Sequence, residues 1–141
     1  IRNPPTSSHT PASAPGCTIL VKLWQMDPDD RSHVRIDTAR IGAVADAARP
    51  GVSATPLFRD AREDVRLETW APGARVAVGD PGGAELFVLS GGFEEAGESF
   101  GPHSWLRLPP GADSAAVAGS EGAKVWVKTG HLVHARAPAP A

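Results

Sequence analysis

The sequence predicts an all-β fold, a sandwich or a barrel, on three observations. Residues 65–70 alternate apolar and polar side chains and end at the Pro72-Gly73 turn. Residues 84–91, AELFVLSG, form an apolar run of the length expected for a strand buried on both faces. No segment of the 141 residues carries sustained helical periodicity. Short strands separated by Gly and Pro turns are typical of sandwiches and barrels.

The elements follow in a regular order along the second half of the chain. Further strands are predicted at residues 75–78, 104–108 and 124–129, with turns at 80–83, 91–92 and 109–111. Earlier in the chain, residues 33–37 alternate well enough for a strand, whereas residues 48–56, ARPGVSATP, are predicted to form a loop. The strands predicted at 17–24 and 124–129 are each preceded by a similar stretch of sequence.

Residues 1–24 match residues 106–130 in the order of an arginine, a double proline, a glycine and a Val-Lys pair. Arg2 falls on Arg107, and His9 falls on Ser114. A repeat period of about a hundred residues indicates a duplicated domain rather than a solenoid. We therefore expect residues 1–26 to be the C-terminal remnant of a first copy, 27–55 a linker, 56–132 a complete second copy and 133–141 a disordered tail.

Composition argues against several classes of protein. The formal net charge is −2 with both signs interspersed, so no basic stripe suggests nucleic-acid binding. No apolar run reaches the roughly 18 residues of a membrane helix, and we expect a cytoplasmic protein. Cys17 is the only cysteine, which excludes an intramolecular disulfide, and it is predicted to be a buried thiol. The four tryptophans lie on predicted strands, where core packing is favoured over the lining of an apolar pocket.

The stretch PGGAELFVLSGGFEEAGESF, followed by SWLRLPPG and VWVKTGHL, is similar to the cupin module of ChrR-type anti-sigma factors and their two-cupin relatives. The opening stretch IRNPPTSSHTPASAPGCTILVKLW resembles the same family. The resemblance implies a cupin-type conical β-barrel, a jelly roll or double-stranded β-helix, present as one complete copy plus the last strands of a preceding copy. It also implies a metal in the barrel mouth, held by an H-x-H pair, a glutamate and a later histidine. Such relatives include zinc-bearing regulators and diketone-cleaving oxygenases.

This sequence departs from the implied ligand set. The four positions fall on Val78, Asp80, Glu85 and Ser114, and a register shifted by one residue puts the first pair on Gly79 and Pro81. Asp80 and Glu85 are candidates for a hard cation with backbone oxygens and water. The alternative makes Asp80 a turn former and Glu85 a plain strand residue. Zinc prefers three or four protein ligands, so the second barrel is predicted to be metal-free.

His9 occupies the later-histidine position of the first copy. The resemblance implies that it binds zinc or iron in an intact first cupin, whereas a lone histidine in this chain is a surface residue. The favoured function is a sensing, regulatory or ligand-binding module, and this chain is not expected to be an enzyme in itself. One alternative is part of a metal-dependent dioxygenase with its active site in the first cupin. Another is a structural dimerisation barrel.

Partners follow from the same reasoning. The apolar strand predicted at 17–24 has no barrel of its own, and an exposed strand edge pairs readily with other chains. We therefore expect a homo-oligomer or an intimate interface through residues 1–26. A small-molecule ligand is expected in the barrel, and a sigma factor is implied as a partner by resemblance alone.

Overall fold

The structure is a computed structural model that describes residues 1–136. The chain forms two compact units, which are described separately. One consists of Ile1–Ile36 together with residues 135–136, and the other is Asp37–His134. We call them the N-terminal unit and the barrel unit.

The barrel unit contains eight strands in one antiparallel sheet, flanked by two short 3-10 helices at Thr38–Arg40 and His131–His134. The strands run in the order β1-β2-β3-β8-β5-β6, with β4 also paired to β8 and β7 to β5. Their bounds are β1 Val44–Ala45, β2 Val52–Arg59, β3 Asp64–Trp70, β4 Arg75–Ala77, β5 Ala84–Glu95, β6 Glu98–Phe100, β7 Trp105–Leu108 and β8 Ala115–Thr129.

The core lies on the inner face that β3, β5 and β8 share. Leu86 of β5 pairs with Val127 of β8, and Val88 pairs with Val125, so their side chains project to the same side. All four are buried, together with Trp70 of β3. This register decides which polar residues of the same strands face inward and which face outward.

The strands β5 and β8 are longer than the sequence indicates, because each continues through glycines. A turn was predicted at Gly91 and Gly92, but β5 runs on to Glu95 through two register shifts. Gly91 has a φ of +66°, and a Cβ there would lie 2.1 Å from the carbonyl oxygen of Gly122. Glycine therefore allows the two strands to bend against each other without separating.

The predicted strands at 65–70, 75–78, 104–108 and 124–129 are confirmed by β3, β4, β7 and the end of β8. The predicted loop at 48–56 is wrong at its end, because β2 begins at Val52, inside the expected linker. Val52 and Thr55 are buried, and β2 pairs with β3 along its length. Pro56 lies beside a register shift, where a strand tolerates a missing N–H.

The N-terminal unit contains no strand within Ile1–Ile36, so the strands predicted at 17–24 and 33–37 are wrong. An isolated β-bridge joins Arg2 and Val34. The Arg2 guanidinium also lies 2.5 Å from Asp30 Oδ2. A β-strand requires a neighbouring strand to accept its backbone hydrogen bonds, and the described part of this unit offers none to residues 17–24.

Burial corrects two further predictions. Cys17 is exposed rather than buried. Among the tryptophans Trp70 is in the core, whereas Trp24 and Trp105 are 80% and 54% exposed. Of the predicted disordered tail, Val133 belongs to the helix His131–His134, and residues 137–141 lie outside the described residues. Within residues 1–136, no helix is long and apolar enough to cross a bilayer.

Candidate functional site

Two of the four ligand positions implied by the resemblance are neighbours. The Val78 amide donates to the Ser114 carbonyl oxygen over 3.0 Å. Val78 is buried in the core, and the Ser114 hydroxyl donates to the Glu95 carboxylate. The fold therefore brings these positions together, but it fills them with an isopropyl group and a hydroxyl that is already hydrogen-bonded.

Asp80 serves the turn between β4 and β5. Its Oδ1 accepts a hydrogen bond of 2.8 Å from the Gly82 amide, and its carbonyl oxygen accepts from the amides of Gly83 and Gly111. This is the geometry of an aspartate that stabilises a tight turn through its own side chain. Asp80 also lines a cavity at the same end of the barrel.

Glu85 lies on the other face of β5. Its neighbours Ala84 and Leu86 both belong to the core, so strand alternation directs Glu85 outward. It is nevertheless 2% exposed, and its Oε2 lies 3.0 Å from Nε2 of His131 in the helix His131–His134. The Arg107 Nε lies 3.5 Å from the other oxygen. Glu85 holds the closing helix against the sheet and is not among the residues that line the cavity beside Asp80.

These placements do not fit the metal centre implied by the resemblance. Asp80 lies in a turn and Glu85 on the outward side of β5, and the two make different contacts. Across residues 1–136, no three His, Cys, Asp or Glu side chains are grouped closely enough to hold a metal ion. In the N-terminal unit, His9 is exposed, and its Nδ1 lies 3.2 Å from the side-chain nitrogen of Asn3. The role of His9 in an intact first cupin stays a prediction.

The barrel unit has a polar cavity of about 680 Å³ at the end of the barrel where Asp80 lies. The cavity is open to solvent and is bordered by the β2–β3 turn, the strands behind it and the helix His131–His134. Most of its lining side chains are charged. The lining residues are Asp46, Arg49, Ala54, Arg59, Asp60, Ala61, Arg62, Glu63, Asp64, Arg66, Asp80, Thr129, Gly130, Val133 and His134.

A buried carboxylate, Glu68, lies behind this cavity and is 1% exposed. Its Oε1 accepts from Arg49 Nη2 over 2.8 Å and from Arg66 Nε over 2.7 Å. Its Oε2 accepts from the Trp70 indole N–H over 2.7 Å. Burial alone would raise the pKa of Glu68, but the hydrogen bond from Arg49, the charge of Arg66 and the Trp70 N–H together hold that pKa below its ordinary value. We call Arg49, Arg66, Glu68 and Trp70 the mouth network.

Two further carboxylates extend the mouth network toward the solvent. The Arg49 Nε donates to Asp46 Oδ2 over 2.7 Å, and the Arg66 Nη1 lies 3.4 Å from Asp64 Oδ1. Burial would lower the pKa of Arg49, but its bonds to Glu68 and Asp46 raise it. The hydrogen bond from Arg49 lowers the pKa of Asp46. Asp46, Arg49 and Glu68 are therefore charged at neutral pH.

The sequence did not predict the mouth network because the alternation in β3 assigns its residues to the wrong face of the strand. Val65 and Leu67 are the apolar residues of the alternation, which suggests that Arg66 and Glu68 face the solvent. In the structure Arg66 and Glu68 share the inner face with Trp70. Trp70 is the signal that could have identified them. It is the largest fully buried side chain, and Glu68 and Arg66 lie two and four residues before it, on the same face of the strand.

No family model and no curated protein matches the chain. Several solved structures are similar to it. A chain of the crystal structure of Rhodobacter sphaeroides SigE in complex with the anti-sigma ChrR aligns with a TM-score of 0.57 and 20% identity, over 64% of this chain and 50% of that chain. The match therefore spans half of that chain's length.

Two other structures are similar. A protein of unknown function with a cupin-like fold from Ralstonia eutropha JMP134 aligns with a TM-score of 0.62 and 18% identity, over 72% of this chain and 68% of that chain. An RmlC-like cupin from Shewanella frigidimarina NCIMB 400 gives a TM-score of 0.56 and 14% identity, over 69% of this chain and 88% of that chain. At these identities the likeness establishes the fold. The all-β unit of this chain is a cupin-type barrel, and its topology resembles that of the ChrR structure.

Proposed function

We propose that the chain is a small-molecule-binding cupin module of the sensing or regulatory kind. It binds its ligand without a resident metal in the cavity beside Asp80, which we call the mouth cavity. The observation that carries the proposal is the cavity itself. Its volume of about 680 Å³ lies within the range of known ligand pockets. Arg49 and Arg66 line it with side chains that are 24% and 18% exposed, so they are partly withdrawn from water and fixed by ion pairs. Such fixed, partly desolvated polar groups give a pocket its specificity.

The placement of the family's ligand positions supports a metal-free mode of binding. Val78 is packed in the core, Ser114 is bonded to Glu95, and Glu85 faces away from the core. The mouth network supplies charges that can orient a ligand through hydrogen bonds alone. Electrostatic orientation by fixed guanidinium groups needs no metal ion.

A matched pair of substitutions tests the location of the site. Val133 lines the cavity and is 58% exposed, so Val133→Trp should fill part of the cavity at little cost in stability. Val117→Trp is the control, since Val117 is partly exposed on β8 and does not line the cavity. In a ligand screen by NMR on chain treated with EDTA, hits should lose binding in Val133→Trp and keep it in Val117→Trp. Hits that bind both variants equally would place the site elsewhere.

A second candidate function, a dimerisation module, is favoured by one observation on the N-terminal unit. Several large apolar side chains between residues 19 and 24 are exposed, among them Leu23 at 75% and Trp24 at 80%. We propose that this stretch pairs with the same stretch of a second copy, because an apolar segment of high β-propensity is a template for strand pairing. Light scattering should then find a dimer that Leu23→Glu converts to monomer. A wild-type monomer at all concentrations would remove this candidate.

Three expectations drawn from the resemblance stay predictions. A first cupin that holds zinc or iron through His9 predicts that a chain extended at its N-terminus binds one metal ion, which His9→Ala removes. An oxygenase predicts that the same extended chain consumes oxygen in the presence of a diketone. A sigma-factor partner, as in the ChrR structure, predicts co-elution of the chain with such a factor.

A further inference from the structure

We propose that the ligand of the mouth cavity is a small hydroxylated carboxylic acid, and that Arg49 and Arg66 bind its carboxylate. This inference rests on the proposed function, because it names the chemical class that the cavity accepts. It is carried by the unused hydrogen-bonding capacity of the mouth network.

The two guanidinium groups are held close together. Arg49 Nη2 and Arg66 Nε donate to the same oxygen of Glu68, over 2.8 and 2.7 Å, so the groups are only a few ångströms apart. Both arginines line the cavity. Glu68 is a positioning residue here: it fixes two positive groups side by side, and its own oxygens are engaged by Arg49, Arg66 and Trp70.

Each guanidinium keeps free donors. A guanidinium has five N–H groups. Arg49 uses Nε toward Asp46 and Nη2 toward Glu68, and Arg66 uses Nε toward Glu68 and Nη1 toward Asp64 and Thr129. Within residues 1–136, Nη1 of Arg49 and Nη2 of Arg66 have no hydrogen-bond partner. Both guanidinium groups therefore keep donors for the oxygens of a carboxylate, which arginine binds through charge-assisted hydrogen bonds.

The carboxylates around the cavity are largely committed to the chain itself. Asp60 Oδ1 accepts from the amides of Arg62 and Glu63, and Asp80 Oδ1 accepts from Gly82. Glu63 forms an ion pair with the buried ammonium of Lys128. The Oδ2 atoms of Asp60 and Asp80 are acceptors suited to hydroxyl groups. A ligand with one carboxylate and several hydroxyls therefore pairs with both the guanidinium donors of the mouth network and the aspartate oxygens that line the cavity.

The test compares D-glucuronate with D-glucose, which differ in whether the sixth carbon is a carboxylate or an alcohol. The reporter is the Trp70 indole N–H, which donates to Glu68 and is assigned in ¹H–¹⁵N spectra by Trp70→Phe. The Nε signals of Arg49 and Arg66 give a second readout. With the complete EDTA-treated chain, titration with glucuronate should shift these signals saturably, and glucose should not.

Arg66→Lys keeps the positive charge but removes the fork of donors, and Arg49→Gln removes charge and donors together. Each should weaken glucuronate binding by at least about tenfold, the effect of losing a hydrogen bond to a charged group. Arg75→Gln is the control, because Arg75 is exposed on β4 and does not line the cavity. The indole signals of the barrel tryptophans, Trp70, Trp105 and Trp126, show in each variant whether the barrel is folded. A network variant that unfolds leaves Val133→Trp to report whether the cavity is the site.

Several outcomes separate this inference from the proposed function. Glucose shifting the same signals as strongly as glucuronate would overturn the carboxylate assignment and leave a ligand-binding cavity. Phosphate binding as tightly as glucuronate would also overturn it, since the site would then read charge alone. If glucuronate, gluconate and malate leave the signals unmoved while a screen finds other cavity ligands, the inference fails alone. If nothing binds the cavity, both proposals fail.

Discussion

Replacing the buried carboxylate of the mouth network tests the structural argument most sharply. Glu68→Gln keeps the size of the side chain and removes its charge. The variant places an amide between two guanidinium groups that lie 2.7 and 2.8 Å from the native oxygen. We expect the barrel to remain folded and to lose a large part of its stability.

The magnitude follows from two opposing effects. Each guanidinium–carboxylate attraction is worth about 4 kcal/mol at 4 Å in the effective dielectric of a partly buried site. The substitution also removes the cost of burying the carboxylate, which is several kcal/mol. Experiments that break a buried ion pair by removing one partner give a net loss of about 3–5 kcal/mol. Arg49 and Arg66 keep Asp46 and Asp64 as partners. We therefore expect the lower end, a loss of about 3 kcal/mol in the free energy of unfolding, or a fall in Tm of about 12–24 °C.

The assay is urea denaturation of the chain followed by tryptophan fluorescence, since Trp70 donates to Glu68. The folded-state pKa of Glu68 is lowered, so its contribution is fully present above the ordinary value of 4.5 and is lost as the pH falls through the folded-state value. The gap between wild type and Glu68→Gln should therefore be wide at pH 7 and close in acid. Glu94→Gln, at an exposed position of β5, is the control and should change stability by less than about 0.5 kcal/mol. A Glu68→Gln effect as small as that of the control, or a gap unchanged by pH, would show that the charge of Glu68 does not stabilise the barrel.

Two other predictions concern the backbone and the N-terminal unit. Gly91→Ala should destabilise the barrel in thermal denaturation by more than Gly97→Ala, because both residues have a positive φ but only Gly91 faces a carbonyl oxygen at 2.1 Å; equal effects would show that β5 and β8 are not in close contact there. The side-chain hydrogen bond from Arg2, with the Ser32 amide, lowers the pKa of Asp30 to about 2, so the stabilisation by Asp30 is present above 3.8 and lost as the pH falls toward 2. Asp30→Asn should speed hydrogen exchange of the Val34 amide roughly two- to fivefold at neutral pH, and a Val34 amide unaffected by the substitution would contradict this.

The sequence predicts correctly the strands that can be recognised from their pattern of apolar residues alone. The alternation at β7 and the apolar run at β5 are visible in the sequence because the core selects every second side chain. By contrast, β2 contains Pro56 and begins just after Pro50 and Gly51, which read locally as a loop. Its strand conformation comes from pairing with β3, a tertiary interaction that local composition does not record.

The candidate site was less predictable than the fold for a related reason. The motif positions name Asp80 and Glu85 as candidate metal ligands, but Asp80 serves a turn beside the cavity and Glu85 faces away from the core of β5. A shift of one residue moves a strand side chain to the opposite face. The mouth network joins Arg49 from a loop to Arg66 and Glu68 from a strand, and only the folded register brings these charges into contact.

The metal content of the purified chain tests whether the barrel works without a metal ion. The chain is incubated with zinc, iron(II) and manganese, dialysed and analysed by elemental mass spectrometry. We predict well under one equivalent of each metal, with no change in Asp80→Asn or Glu85→Gln. One equivalent of metal that Asp80→Asn or Glu85→Gln releases would contradict a barrel mouth built on Arg49, Arg66 and Glu68.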